Sequence, residues 1–233
     1  MPTAGALDRP RRAEDIHPIG TRGAAEVARV AVVEDDERMR EALAFQVETA
    51  GISASAFACA EDFLKVADAN EFDCVVADIY MPRMNGLQLQ EELYRTIPYA
   101  SIVFITGHGD LSLGMHAMRK GAVDFLEKPV DDQVLLSSIA RGVQLSRERR
   151  TEQARRIEFE KLERSLTLRE REVFALVTTG LLNKQVAAEL GTTERTVKAH
   201  RASVMNKMGA GSIADLVRMA GILGTHRAQT APR

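Results

Sequence analysis

The chain has 233 residues, 45% of them hydrophobic, which is long for one domain and comfortable for two with separate cores. The longest apolar runs are too short to span a membrane, and no apolar stretch follows the basic N-terminal residues, so no membrane partner or secretory leader is expected and the reading is a cytoplasmic protein. The net charge of −2 hides a division: residues 28–132 sum to −10, residues 133–164 to +3 and residues 165–233 to +5, which assigns the two halves different jobs and makes nucleic acid a candidate partner of the basic one.

Residues 1–27 hold Pro2, Pro10 and Pro18 and basic residues between Arg9 and Arg12, without sustained periodicity, and are expected to be disordered. Short β-branched runs then alternate with helix-period segments. The pattern predicts strands at 29–34, 52–57, 74–78, 102–106 and 123–126, with helices at 37–50, 60–69, 86–96 and 110–120 between them. This order predicts a doubly wound α/β domain, a five-stranded parallel sheet with helices on both faces. Cys59 and Cys74 match no metal spacing, and Cys74 falls inside a predicted buried strand as a small apolar residue. From Asp131 to about Glu163 there is no proline and one glycine, which reads as a last helix running on into a charged helical linker.

Residues 165–224 read as wholly helical. Thr167-Leu168-Arg169-Glu170 is a capping box, and a helix from there ends near Gly180. Asn183 is read as the cap of a short helix through Leu190, Thr193 as the cap of a longer one through Met208, and Ser212 as the start of a last one through about Leu223. A short helix, a Gly-Thr-Thr connection and a longer helix outline a helix-turn-helix.

The ends of the predicted strands carry the chemistry. Glu34 and Asp35, Asp78 and Thr106 end three of them, and Lys128 follows the last. In parallel α/β sheets ligands gather beyond the strand C-termini. A carboxylate attacks a phosphoryl group poorly because the donor oxygens repel it, and Mg²⁺ removes that objection by bridging acceptor and donor. Asp35 and Asp78 as direct ligands, Glu34 through water and the Tyr80 carbonyl satisfy a cation that takes few carboxylates. Lys128 can neutralise one phosphoryl oxygen and Thr106 can donate to another. Each residue alone has an ordinary reading, as a solvated helix start, a strand-end hydroxyl or a surface lysine. Their joint placement at four strand ends favours the acceptor site.

In the basic half, the longer helix begins Thr193-Glu194-Arg195-Thr196-Val197-Lys198-Ala199-His200-Arg201. Arg195, Thr196, Lys198, Ala199 and Arg201 lie on its polar face, fit for a major groove of double-stranded DNA, while Lys184 and Lys207 are candidate phosphate contacts and Thr193 stands at the groove end. A solvated basic helix in a small bundle is the ordinary alternative.

The segments Val32-Val33-Glu34-Asp35-Asp36, Val75-Val76-Ala77-Asp78-Ile79-Tyr80-Met81-Pro82, Phe104-Ile105-Thr106-Gly107 and Ala122-Val123-Asp124-Phe125-Leu126-Glu127-Lys128-Pro129 resemble the receiver domains of two-component response regulators, with the CheY-like fold. Leu166 to Val173, Asn183 to Ala187 and Thr196 to His200 resemble the LuxR-type helix-turn-helix. Together, with the stretch Thr106 to Asp110, they resemble response regulators of the FixJ/NarL type, nearest the FixJ-like subgroup. The resemblance implies a receiver at 28–145, a linker at 146–164 and a DNA-binding domain at 165–233. It implies that Asp78 takes phosphate from a partner histidine kinase and that Glu34 and Asp35 are the metal-binding pair. It further implies that Thr106 and Phe125 switch together, and that a face around Met115, Arg119, Val123 and Asp124 forms a homodimer on phosphorylation. RNA polymerase is the further partner implied. The charge division separately raises the idea that the acidic domain screens the basic one before activation. The rival readings are a regulator with a purely structural pocket, and a metal-assisted phosphotransfer enzyme; Tyr80 stands where the enzyme would want an acid/base group.

Overall fold

The computed structural model describes residues 27–67, 72–107 and 111–224, with the side chain of Leu111 left aside. The expected disorder of residues 1–27 therefore lies, but for Val27, outside the described residues, as do His108 to Asp110 and residues 225–233.

Five parallel strands, β1 (Arg29–Val33), β2 (Ser53–Phe57), β3 (Cys74–Asp78), β4 (Ser101–Thr106) and β5 (Asp124–Glu127), stand in the order β2-β1-β3-β4-β5. Helices α1 (Glu37–Thr49), α2 (Ala60–Val66), α3 (Gly86–Thr96) and α4 (Leu111–Arg119) make the crossovers. The inner strands β3 and β4 are buried throughout, whereas edge strand β2, with the sequence Ser-Ala-Ser-Ala-Phe, is partly exposed. Successive residues feed opposite faces, as the pleat requires. Ala31, Val33, Val75, Ala77, Ile102 and Phe104 pack with Phe63 of α2 and Leu89 and Leu93 of α3. Val30, Val32, Cys74, Val76, Val103 and Ile105 pack on the other side with Leu43 and Val47 of α1 and with Leu135, Ile139 and Val143. Burial pushes the Cys74 thiol up to about 12, in keeping with an apolar role.

The last three residues of that second face belong to α5 (Asp132–Arg164), a single 33-residue helix that contains the expected linker. Asp131 caps it, accepting from the N–H groups of Gln133 and Val134. Its buried residues recur at helical spacing as far as Arg150, residues 151–161 are mostly exposed, and Leu162 packs into the next core.

Helices α6 (Leu168–Thr178), α7 (Asn183–Glu189), α8 (Glu194–Met208) and α9 (Ile213–Leu223) surround Val173, Phe174, Val177, Val186, Val197, Val204, Met208 and Leu216. The expected caps of α6, α8 and α9 are present: Thr167, Thr193 and Ser212 accept from Glu170, Thr196 and Asp215. The start of α7 differs. Leu182 is the N-cap position, its N–H donating to Gln185 at 2.8 Å, and Asn183 lies inside the helix. The Asn183 carboxamide accepts from Arg201 of α8 at 2.5 Å instead. A long-range partner thus replaces the local cap that asparagine favours.

Candidate functional site

Parallel pairing brings the C-terminal ends of β1, β3, β4 and β5 to one edge, where the local chain sets each side chain. After Val33, Glu34 is buried, and its N–H still pairs with the Phe57 carbonyl at 3.1 Å. Asp36 caps α1 by accepting from Met39 at 2.8 Å, which turns the chain and leaves Asp35 exposed at the rim. Arg40, one turn into α1, donates to the carbonyls of Glu34 and Asp35 at 2.8 and 3.2 Å. Asp78 ends β3 with 7% of its surface exposed, and Oδ1 accepts the Tyr80 N–H at 3.0 Å.

Behind Asp78, a Cβ on Gly86 would lie 2.6 Å from the Asp78 carbonyl oxygen and 2.9 Å from the Phe104 ring. The start of α3 therefore reaches the end of β3 only because that residue is glycine. Thr106 is wholly buried at the end of β4, and its carbonyl accepts the Lys128 N–H at 2.7 Å, across a cis Lys128–Pro129 bond from the next turn.

Lys128 Nζ donates to Asp78 Oδ2 at 2.6 Å and to Glu34 Oε2 at 2.8 Å. Glu34, Asp35 and Asp78 each offer a carboxylate oxygen within 4.8 Å of the others. Burial raises the Glu34 carboxyl above the usual carboxylate range; Lys128 opposes this, and the nearby Asp78 charge adds to it. Burial also works against the charge of Lys128, but the two carboxylates outweigh it and hold its ammonium above its ordinary value. Three carboxylates face one lysine, an all-oxygen set that suits a hard divalent cation better than a soft one. Glu34, a methylene longer than aspartate, reaches Lys128 directly. Tyr80 is half exposed beside the pocket.

One strand over, Phe125 on β5 is half-buried against α4, and a Cβ on Gly114 would lie 3.1 Å from its ring. Gly114, Met115, Met118, Arg119, Asp124, Phe125 and Glu127 line an open cavity of about 590 Å³. Three of the four residues expected on a dimer face line it; Val123 packs instead against the core shared with α1 and α5. Asp124 Oδ2 accepts from Ser138 at 2.6 Å and pairs with Arg141. Met118, exposed beside Met115, was missed, although its spacing on α4 offered the signal.

On α8, Arg195, Lys198 and Ala199 are exposed, Thr196 and Arg201 partly so, and Lys184 stands open at the start of α7. The acidic domain thus does not cover this helix in the conformation described. Thr193 and Thr196 share a hydroxyl–hydroxyl bond of 2.9 Å. Lys207 is committed elsewhere, its Nζ 2.6 Å from Glu170 Oε2. Glu170 Oε1 accepts from Ser203 at 2.6 Å and Oε2 from the Thr167 N–H at 2.7 Å. Lys207, then Ser203 and the Thr167 backbone, hold the Glu170 carboxyl down at about 2. These ties fix the angle between α6 and α8.

A parallel α/β domain with an acidic strand-end cluster, joined to a helix-turn-helix, defines a regulator of transcription, and sequence comparison agrees in both halves. Residues 30–140 match the response regulator receiver domain, and residues 164–220 match the bacterial regulatory proteins of the luxR family. The chain belongs to the response regulators that join a receiver to a LuxR-type helix-turn-helix, which act by binding DNA rather than by turning over a substrate. It is 44% identical over 204 residues to nodulation protein W of Bradyrhizobium diazoefficiens, covering 86% of this chain and 90% of the relative. It is 39% identical to the transcriptional regulatory protein FixJ of Azorhizobium caulinodans, covering 87% and 96%. Among solved structures, response regulator StyR superposes with a TM-score of 0.71 at 42% identity, over 84% of this chain and 99% of that one. Full-length FixJ from B. japonicum covers the same 84% of this chain, and 97% of its own, with a TM-score of 0.52 at 36% identity. Among the described residues, no helix is long and apolar enough to cross a membrane.

Proposed function

We propose that Asp78 accepts a phosphoryl group from a partner histidine kinase and that this acylphosphate controls DNA binding. The observation that carries the reading is the meeting of Glu34, Asp35 and Asp78 within 4.8 Å, with Lys128 bonded to two of them. Asp35 and Asp78, with Glu34 through water and the Tyr80 carbonyl, would hold Mg²⁺. When bound, the cation supplies charge neutralisation between acceptor and donor oxygens. Lys128 gives up Asp78 Oδ2 and takes a phosphoryl oxygen as its counter-charge. Thr106 turns its hydroxyl to a second oxygen, and Phe125 moves into the space that opens, away from Gly114.

That movement reshapes the α4–β5 face around Met115, Arg119 and Asp124, with Val123 behind it in the core, and this face then pairs two copies. Each copy presents α8 to a major groove. Arg195, Thr196, Lys198 and Ala199 face base edges and sugar-phosphate, Lys184 and Thr193 hold the backbone, and Arg201 and Lys207 are contacts only if they leave Asn183 and Glu170. RNA polymerase is the machinery such a dimer would recruit or obstruct.

The test uses a labelled small phosphodonor with Mg²⁺, followed by footprinting on genomic DNA. Stable label on the wild type, none on Asp78→Asn, and protected sites that appear only with phosphorylation are the expected results. Identical footprints for both proteins, with and without donor, overturn the switch.

A further inference from the structure

β3 carries an acid at each end. Asp78 closes it at the phosphoryl edge, and Asp73, 1% exposed, stands just before it at the opposite edge, about 17 Å away at the usual strand rise. Asp73 Oδ1 accepts from Arg150 NH1 at 3.1 Å, Oδ2 accepts the Arg29 N–H at 3.1 Å, and Arg147 NH2 approaches Oδ2 at 3.9 Å. Arg150 NH2 also donates to the Phe72 carbonyl at 3.3 Å, and its guanidinium lies 5.0 Å from the centre of the Tyr99 ring.

Arg150 belongs to neither matched stretch, since it falls between residues 140 and 164. It is the last buried residue of α5 before the exposed span 151–161, beyond which Leu162 enters the helical domain's core. From Arg150 to Leu162 the helix rises about 18 Å, and it meets the helical domain on the way, with Ile222 of α9 lining one cavity with Gln153 and Arg156. A small change in the direction of α5 at Arg150 therefore swings the DNA-binding domain by several times as much as it moves the receiver end.

A buried ion pair is a poor source of stability, because desolvation consumes most of the attraction and an apolar pair would hold as well. What it supplies is direction: a planar guanidinium held by a carboxylate, a carbonyl and a ring accepts one approach of the helix. The two solved relatives cover equal shares of this chain yet superpose with TM-scores of 0.71 and 0.52, so the arrangement of the two domains is not common to the architecture.

We propose that Arg150 is a positioning residue that, through Asp73, locks the linker half of α5 onto the receiver and sets where the DNA-binding domain is held. Its consequence for DNA rests on the phosphorylation switch proposed above, while its geometric content does not. In a dimer, a linker of fixed direction raises the effective concentration of the second DNA-binding domain at its half-site, and a loose one dilutes it.

The test places spin labels on exposed positions of α1 and α7, Glu48→Cys and Ala188→Cys, in the full-length unphosphorylated protein, whose own cysteines are buried. Pulsed resonance then reads the distribution of distances between the domains. Arg150→Gln is expected to broaden it, Asp73→Asn to broaden it as much while keeping an acceptor for the Arg29 N–H, and the double variant to add nothing. Arg150→Lys, which keeps the charge but loses the bond to Phe72 and the ring contact, is expected to fall between. The gain in DNA affinity on phosphorylation is expected to fall roughly tenfold in Arg150→Gln. A wild-type distribution in either Arg150→Gln or Asp73→Asn overturns the proposal. A wild type whose DNA affinity ignores phosphorylation overturns the switch instead and leaves the distance result standing.

Discussion

Lys128 is the residue on which the pocket's electrostatics turn. It is the cation bonded to Glu34 and Asp78, both buried, and without it their charges face each other. Lys128→Met is expected to cost about 3 kcal/mol, since breaking a buried pair leaves an uncompensated charge. Urea unfolding of the receiver measures this loss. Millimolar Mg²⁺ is expected to return part of it, because the ion neutralises the same oxygens and binds only the folded form. Asp78→Asn in the Lys128→Met background is expected to return part of it without metal. A variant as stable as the wild type would show that Lys128 is not what offsets these carboxylates. The meeting of these residues was legible in the sequence, since each of them ends a recognisable apolar run or follows one. Two features were not: that Glu34 rather than Asp35 bonds Lys128, and that Gly86 clears the space behind Asp78. Both depend on side-chain reach across the sheet, which no local spacing records.

Among the elements, α6 and α8 are joined by a contact of which the chain order reveals only half. The capping box of Thr167 and Glu170 is a local pattern and was readable. The bonds from Ser203 and Lys207 to the same carboxylate cross 33 and 37 residues and were not, so Lys207 read as a free phosphate contact. The same limit explains Asn183, whose side chain serves Arg201 rather than its own helix. Element types and most boundaries followed from apolar period and stop residues, because those are local; α5 as one continuous helix followed from its lack of proline. The Glu170 contact carries a pH dependence. Its carboxyl is lowered from 4.5 to about 2 in the folded domain, so the stabilisation is present above the unfolded value and is lost as pH falls through about 2. Amide exchange in α6 and α8, taken relative to its intrinsic rate at each pH, is expected to accelerate across that window in the wild type. In Glu170→Gln it is expected to be faster at neutral pH and to lack that acid-dependent step. A parallel acid response in the two proteins would assign the loss to other carboxylates.

For the whole molecule, two mechanisms connect an acidic receiver to a basic DNA-binding domain, and they differ in what one half-site sees. If the acidic receiver, −10 over residues 28–132, screens the +5 domain, phosphorylation unmasks each copy separately and strengthens binding to any site. If phosphorylation pairs two copies, each α8 binds as before and the gain comes from holding both at once. Arg195, Lys198 and Ala199 are already exposed on α8, and the cavity beside Met115 and Phe125 lies on the receiver, so the geometry favours pairing. Fluorescence anisotropy on short duplexes separates the two. With a pair of half-sites at the natural spacing, phosphorylation is expected to raise affinity roughly 100-fold, at the low end of avidity gains. With one half-site it is expected to raise affinity little. Shifting one half-site by half a helical turn is expected to remove most of the gain, because the second α8 then faces the wrong side of the duplex. Lys184→Ala is expected to weaken every duplex alike and to lower the salt slope by about 1 per bound copy, as the loss of one phosphate contact should. An equal gain on one and two half-sites would return the argument to screening, because unmasking needs no second site.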